Sequence, residues 1–180
     1  MISLRQMAIK VPVGNLSDLH RDVWRFSHHQ QDIDKGRSFL FAPFVLDNQS
    51  MMVFVRGEHL LPEKSIAFSE VDDGQAYSFN VLVRAVRRSM SGERLINDDD
   101  ELHLWIKEHM HGFDILTMNN TFEGPFTMER GRNTVKLGAW RTSGTLLVTD
   151  KISAMETLRK GIGRTRGFGF GMIILFPIND

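Results

Sequence analysis

The apolar positions change period early in the chain. Residues 3–13 are rich in apolar and β-branched side chains and predict a strand; from Leu16 on, Leu16, Leu19, Val23 and Phe26 recur at the spacing of one helical face, to about Ser27. Asn15 or Ser17 supplies a side-chain oxygen able to cap that helix. Two further extended stretches, SFLFAPFVL at 38–46 and MMVFVRG at 51–57, flank the turn-forming pair Asp47-Asn48 and predict a hairpin.

A polar, poorly periodic segment leads to YSFNVLVRAV at 77–86, whose alternation predicts a strand closing a first β-α-β-β-type unit. The acidic run Asp98-Asp99-Asp100-Glu101 then precedes Leu102, Leu104, Trp105, Ile106 and Met110. Acids in a first turn suit the positive end of a helix dipole, so a second helix is expected here. Short strands between 113 and 150, a helix at about 151–160, a glycine-rich loop and a last strand at 172–176 complete the chain. This order predicts an α+β protein of two ferredoxin-like halves side by side, 1–88 and 98–180, with a weak linker near Ser89–Asn97.

Composition narrows the class. At 180 residues and 42% hydrophobic content the chain buries a sizeable core. The absence of cysteine excludes disulfides, thiolate zinc sites and a cysteine nucleophile. No run approaches the roughly 18 apolar residues of a membrane helix, and a cytoplasmic protein with no membrane association is expected. Net charge is zero, yet its distribution is uneven: residues 58–123 carry 6 basic against 13 acidic side chains, and residues 130–166 carry 9 against 2. Such segregation lets a neutral protein present one basic face to a polyanion.

The most distinctive stretch is GIGRTRGFGFGMI at 161–173. Its glycines, Gly161, Gly163, Gly167, Gly169 and Gly171, let backbone approach another chain closely, and Arg164 and Arg166 are suited to phosphates. It follows a helix and opens a strand, the reverse of a dinucleotide fingerprint. His20 lies on or beside the apolar face of the first helix, where an imidazole either packs in the core or moves a proton near neutral pH. His109, His111 and Asp114 in HMHGFD are read as an exposed helix end, since an i,i+2 pair lies on different helical faces. The run from Asp98 to Glu101 is explained by capping, and no metal or other cofactor is expected. Arg84, Arg87 and Arg88, at the end of a strand, either contact RNA phosphates or form a solvated basic edge.

Taken together, DLHRDVW at 18–24, RSFLF at 37–41 and the loop at 161–173 resemble the CasE endoribonucleases of type I-E CRISPR Cascade complexes. LVRAVRRS at 82–89, LHLWIKEHM at 102–110 and SGTLLVTDKISAMETLRKG at 143–161 extend the resemblance over essentially the whole chain. It implies two RNA-recognition-type halves, binding of the CRISPR repeat stem-loop, one cut at the base of the stem, and association with other Cascade subunits. It also implies a catalytic role for His20 and an RNA-holding role for the basic strand, with Arg84, Arg87 and Arg88, and for the loop, with Lys160, Gly161, Gly163, Arg164, Arg166, Gly167 and Gly169. Some members place a tyrosine one turn before the histidine; this chain has Ser17.

The economical chemistry is attack by the RNA's own 2′-hydroxyl on the adjacent phosphate, with His20 moving the proton and Arg21, Lys35 and Arg37 as first-half candidates for stabilising charge. The alternative is a non-catalytic RNA-binding subunit on the same fold, in which His20 only packs.

Overall fold

The computed structural model describes residues 4–27, 39–90 and 92–178. In the first half, β1 (Arg5–Pro12) is followed by α1 (Leu16–Ser27), β2 (Phe39–Val45), β3 (Ser50–Gly57), a single 3-10 turn at Pro62–Lys64 and the two-residue β4 (Ile66–Ala67). The strands pair antiparallel in the order β2-β3-β1-β4. Alternation builds the core: Met7 and Val11 of β1, Met51, Val53 and Val55 of β3, and Phe39 and Phe41 of β2 share one face and pack against Leu19 and Val23 of α1. Phe41, Val53 and Val55 have no exposed surface, and each such burial contributes about 1.5–3 kcal/mol. At the β2–β3 turn the Asp47 carboxylate accepts from Gln49 N at 2.8 Å, Ser50 N at 2.7 Å and Ser50 Oγ at 2.7 Å, so the hairpin expected here has a side-chain lock.

The second half runs β5 (Ala76–Val83), a hairpin of β6 (Val86–Ser89) and β7 (Gly92–Leu95), α2 (Asp99–His109), β8 (Phe113–Arg130), β9 (Asn133–Val148), α3 (Lys151–Lys160) and β10 (Ile174–Pro177). Its four-stranded sheet has the order β10-β5-β9-β8. In both sheets the unit's first strand lies between its fourth and third and the second is at the edge, so each half is ferredoxin-like. Asp98 caps α2 by accepting from Glu101 N at 2.8 Å, and Asp150 caps α3 by accepting from Ser153 N at 3.0 Å. Leu102, Trp105 and Ile106 of α2 and Ala154 and Leu158 of α3 fill the core above the sheet.

Three expectations are corrected. The stretch at 77–86 does not close the first unit: its ordered part, β5, is a central strand of the second sheet, paired with β9 and β10, while β4 closes the first. Alternation identifies a strand but not its sheet, and the two exposed residues of β4 carry no pattern to detect. The short strands expected between 113 and 150 are two long ones, of 18 and 16 residues. Their register shifts at Ile115/Thr117 and Glu123/Phe126, and such bulges break the period that would reveal one continuous strand. Phe26 is 48% exposed. At about 100° per residue it lies about 60° round the helix from Val23, on the flank opposite His20.

The halves are joined through the second face of the first sheet. Leu40 and Ala42 pack on Met172 and Ile174, which is why β2 is a continuous apolar run rather than an alternating one. Arg56 of β3, 2% exposed, donates to Ile173 O at 2.9 Å and Leu158 O at 3.3 Å and lies 4.1 Å over the Phe68 ring. Burial pushes its pKa down to about 9, so it stays charged at neutral pH, at the negative end of α3. Among the described residues, no helix is long and apolar enough to cross a membrane.

Candidate active site

The position of His20 follows from the start of its helix. Asn15 Oδ1 accepts from the backbone N–H of Ser17 and of Asp18, each at 2.9 Å, which makes Asn15 rather than Ser17 the cap. With Leu16, Leu19 and Val23 buried, His20 falls on the flank of the apolar face and is half-buried. Its ring stacks on Phe39 at 5.9 Å between centroids and 19° between planes, and lies 6.2 Å from Phe41 and 5.5 Å from Phe168. Phe39 and Phe41 come from β2 and Phe168 from the glycine-rich loop, so three elements distant in sequence meet at one imidazole.

The loop is anchored at each end and in its middle. Gly161 ends α3 with φ 67°, its N–H bonded to Thr157 O at 2.8 Å. Ile162 N donates to Gly171 O at 2.9 Å, Gly171 N donates to Leu82 O at 2.7 Å, and Arg164 forms a β-bridge with Arg84. Gly171 has no alternative: a Cβ there would lie 1.9 Å from Ile162 O. Phe168 and Phe170 pack with Leu16 of α1 and with Phe126, Met128 and Val135 of the β8–β9 arm, which therefore braces α1 from behind.

Grooves open on both sides of the loop and share Lys160, Gly163, Arg164 and Arg166. One is walled by Phe39 and Phe168, beside the His20 ring; the other reaches Arg88, Trp105 and His109. The His20 imidazole thus lies behind the Phe39 and Phe168 wall of a groove in which Arg159, Lys160, Arg164 and Arg166 outnumber Glu58, a charge balance suited to a polyanion.

A sequence profile described as CRISPR associated protein matches residues 1–177. The chain belongs to that family. Among curated proteins none matches it in sequence. In fold this CRISPR associated protein is similar to CRISPR endoribonuclease Cse3 bound to a 19 nt RNA, with 17% identity over 97% of this chain and 100% of that one and a TM-score of 0.76. It is similar to CRISPR-associated protein Cas6e from Escherichia coli str. K-12, with 13% identity, the same coverages and a TM-score of 0.72. A chain of a CRISPR RNA-guided surveillance complex matches at 16% identity, 97% and 100% coverage and a TM-score of 0.72. These likenesses bear on the fold, two ferredoxin-like halves.

Within the family member described here, the cations singled out from the sequence divide into two groups. Lys160, Arg164, Arg166 and Arg88 line the grooves, with Gly161 and Gly163 beside them; Gly167 is buried in the same loop, and a Cβ on Gly169 would lie 2.8 Å from the Phe41 ring. Arg164 pairs with Glu93 at 2.8 Å and Lys160 with Glu156, whereas Arg166 and Arg88 make no ion pair among the described residues. Arg84 reaches Glu93 only at 4.0 Å. Arg87 is turned to α2: it bonds both carboxylate oxygens of Glu108, at 2.7 and 3.3 Å, which raises its own pKa and lowers that of Glu108. Arg21 is exposed on α1 and paired with Asp18. Lys35 and Arg37 lie outside the described residues.

Around His109 and the acidic run the side chains have structural partners. His109 Nδ1 is 2.8 Å from Trp105 O and its ring stacks on Trp105 at 3.9 Å; Asp99 accepts from Asn120 Nδ2 at 2.8 Å. The sequence reading missed the three phenylalanines around His20 and the contribution of the β8–β9 arm. Phe39, Phe41 and Phe168 each look like ordinary strand or loop residues, and only the alternation of Phe168 and Phe170 with glycine marks the loop as carrying a ring wall.

Proposed function

We propose that this chain is a CRISPR RNA-processing endoribonuclease that cuts repeat RNA at the base of its stem-loop, without a metal, to produce mature guide RNA. The observation that carries the proposal is the 5.5 Å approach of the His20 ring to Phe168, which sets a group able to move protons beside a groove lined by Arg164 and Arg166. The likeness in fold to an endoribonuclease bound to RNA supports it.

In the proposed reaction the ribose 2′-oxygen attacks the adjacent phosphorus. The P–O2′ bond forms as the P–O5′ bond breaks, leaving a 2′,3′-cyclic phosphate on one product and a 5′-hydroxyl on the other. One proton leaves O2′ and one is delivered to O5′, and His20 serves at one or both transfers. The loop arginines hold the phosphate and offset its growing negative charge. Lys160 and Arg88 extend the same cationic surface along the RNA, and the first-half candidates Arg21, Lys35 and Arg37 are assigned to charge stabilisation. The likeness to a chain of a surveillance complex supports assembly with other CRISPR subunits.

The test is single-turnover cleavage of repeat RNA, with and without EDTA, beside a substrate carrying one 2′-deoxy nucleotide just upstream of the scissile phosphate. Cleavage should persist in EDTA, and the deoxy substrate should bind and remain whole. Efficient cutting of the deoxy substrate would make water the nucleophile. Binding without cutting of unmodified RNA would favour the non-catalytic alternative, which the three phenylalanines packed around His20 also accommodate.

A further inference from the structure

Among the described residues nine glycines take positive φ, and Thr165 is the one residue with a side chain that does, at φ 61° and ψ 26°. β-branched residues rarely adopt this left-handed conformation, and a persistent outlier of this kind points to a function for the side chain that incurs it. The contrast is local. Where the same loop needs positive φ at 161, 163, 169 and 171 it uses glycine, and at 165 it keeps threonine.

The backbone holds Thr165 from both sides. Arg164 is bridged to Arg84, and Thr165 O accepts from Phe168 N at 2.9 Å, so the residue also sets the place of the ring that meets His20. Thr165 is half-buried and lines the groove walled by Phe39 and Phe168, between Arg164 and Arg166. Among the described residues no hydrogen bond involves its hydroxyl.

We infer that Thr165 is a substrate-contacting residue whose hydroxyl donates to a phosphate oxygen of the RNA backbone in the groove beside His20. The inference rests on the RNA-binding reading above and adds a neutral, directional contact to its two flanking cations. The arginines supply charge on long side chains, and a hydroxyl held close to the backbone adds one short, directional contact that helps fix the register of the strand.

The test compares Thr165→Ser, Thr165→Val and Thr165→Gly in the full chain, with an Arg164→Glu/Arg166→Glu double variant as reference, measuring Kd for repeat RNA across a salt series and Tm. Thr165→Ser should bind like the parent, while Thr165→Val and Thr165→Gly lose about tenfold in affinity. The salt slope should stay that of the parent in all three, because a neutral group displaces no counterion. Thr165→Gly relieves the backbone, so its Tm should be no lower than the parent's. Parental affinity in the valine and glycine variants, beside a loss in the arginine variant, overturns this inference alone, as does a serine variant as weak as glycine. Parental affinity in the arginine variant as well would remove the RNA-binding reading and this inference with it.

Discussion

Ser17 of α1 and Glu129 of β8 exchange hydrogen bonds through one hydroxyl: Glu129 N–H donates to Ser17 Oγ at 3.0 Å, and Ser17 Oγ donates to Glu129 O at 3.4 Å. A side chain thus completes the backbone pairing of a strand 112 residues away and fastens the arm to the helix that carries His20. At the position where some CasE members have a tyrosine, this chain has a clip between its halves.

Ser17→Ala is therefore expected to lower stability by about 0.5–1.5 kcal/mol, read as a fall in Tm of about 2–4 °C per kcal/mol. Thr in place of Ser keeps the hydroxyl and should recover most of the loss. Hydrogen exchange should quicken at Glu129 N–H in the alanine variant, and an unchanged rate there would show that the clip contributes nothing.

Substitution of His20 separates chemistry from packing. His20→Ala should reduce single-turnover cleavage by roughly 10²-fold or more at saturating folded protein, far beyond any loss from its ring contacts with Phe39, Phe41 and Phe168, while RNA affinity changes little. A packing role predicts instead a stability loss of about 1–3 kcal/mol, with cleavage falling only as folded protein is lost. His20→Asn retains polarity and approximate size without exchanging a proton near neutral pH. An Asn variant that folds and cuts at the parental rate would refute the assignment.

Arg164 and Arg166 should differ when replaced singly. Arg164 is paired with Glu93, and Arg166 makes no ion pair among the described residues. Arg166→Ala should weaken RNA binding and reduce the slope of log K against log salt by about 0.7–0.9, as expected for one lost phosphate contact. It also frees the Lys160 carbonyl at the end of α3, to which Arg166 Nη1 donates at 2.7 Å. Arg164→Ala should also destabilise the loop's contact with β7, because it leaves Glu93 with Arg84 alone at 4.0 Å. An unchanged salt slope in Arg166→Ala would remove Arg166 from the phosphate contacts.

The Asp47 turn makes the first half sensitive to acid. The Ser50 hydroxyl, and after it the Gln49 N–H, favour the charged carboxylate and hold its pKa below its ordinary value of 3.8. Between the lowered pKa and the ordinary one the unfolded chain binds the proton that the folded chain refuses. The stabilisation is therefore present above the ordinary value and is lost as pH falls through the lowered one. Asp47→Asn should abolish that part of the acid dependence, measured by comparing unfolding midpoints of parent and variant down a pH series; identical profiles would remove Asp47 from it.

Much of the fold is legible in the chain because its elements are specified by local periodicity and local caps. Leu16, Leu19 and Val23 mark α1, Asp47 marks the hairpin, and Asp98 and Asp150 begin α2 and α3, each through interactions within a few residues. His20, Arg164 and Arg166 stand out for the same reason, as chemically distinctive side chains inside recognisable segments. What no local pattern contains is which strand joins which sheet, and so β5 reads as the end of the first half although its partners are β9 and β10. Bulges hide the length of β8 for a related reason, since a shift of one residue reverses the alternation while the strand continues.

The site itself was decided by tertiary packing. The sequence by itself determined that an imidazole lies on a helix flank and that a cationic glycine loop follows α3, but 147 positions separate His20 from Gly167. Only the docking of two antiparallel sheets through Leu40, Ala42, Met172 and Ile174 brings Phe168 against His20, while packing of α2 beside β6 within the second half turns Arg87 to Glu108. Contacts of this kind depend on the sum of many non-local burials, each set by the shape of the opposing surface, and no periodicity within either segment encodes them.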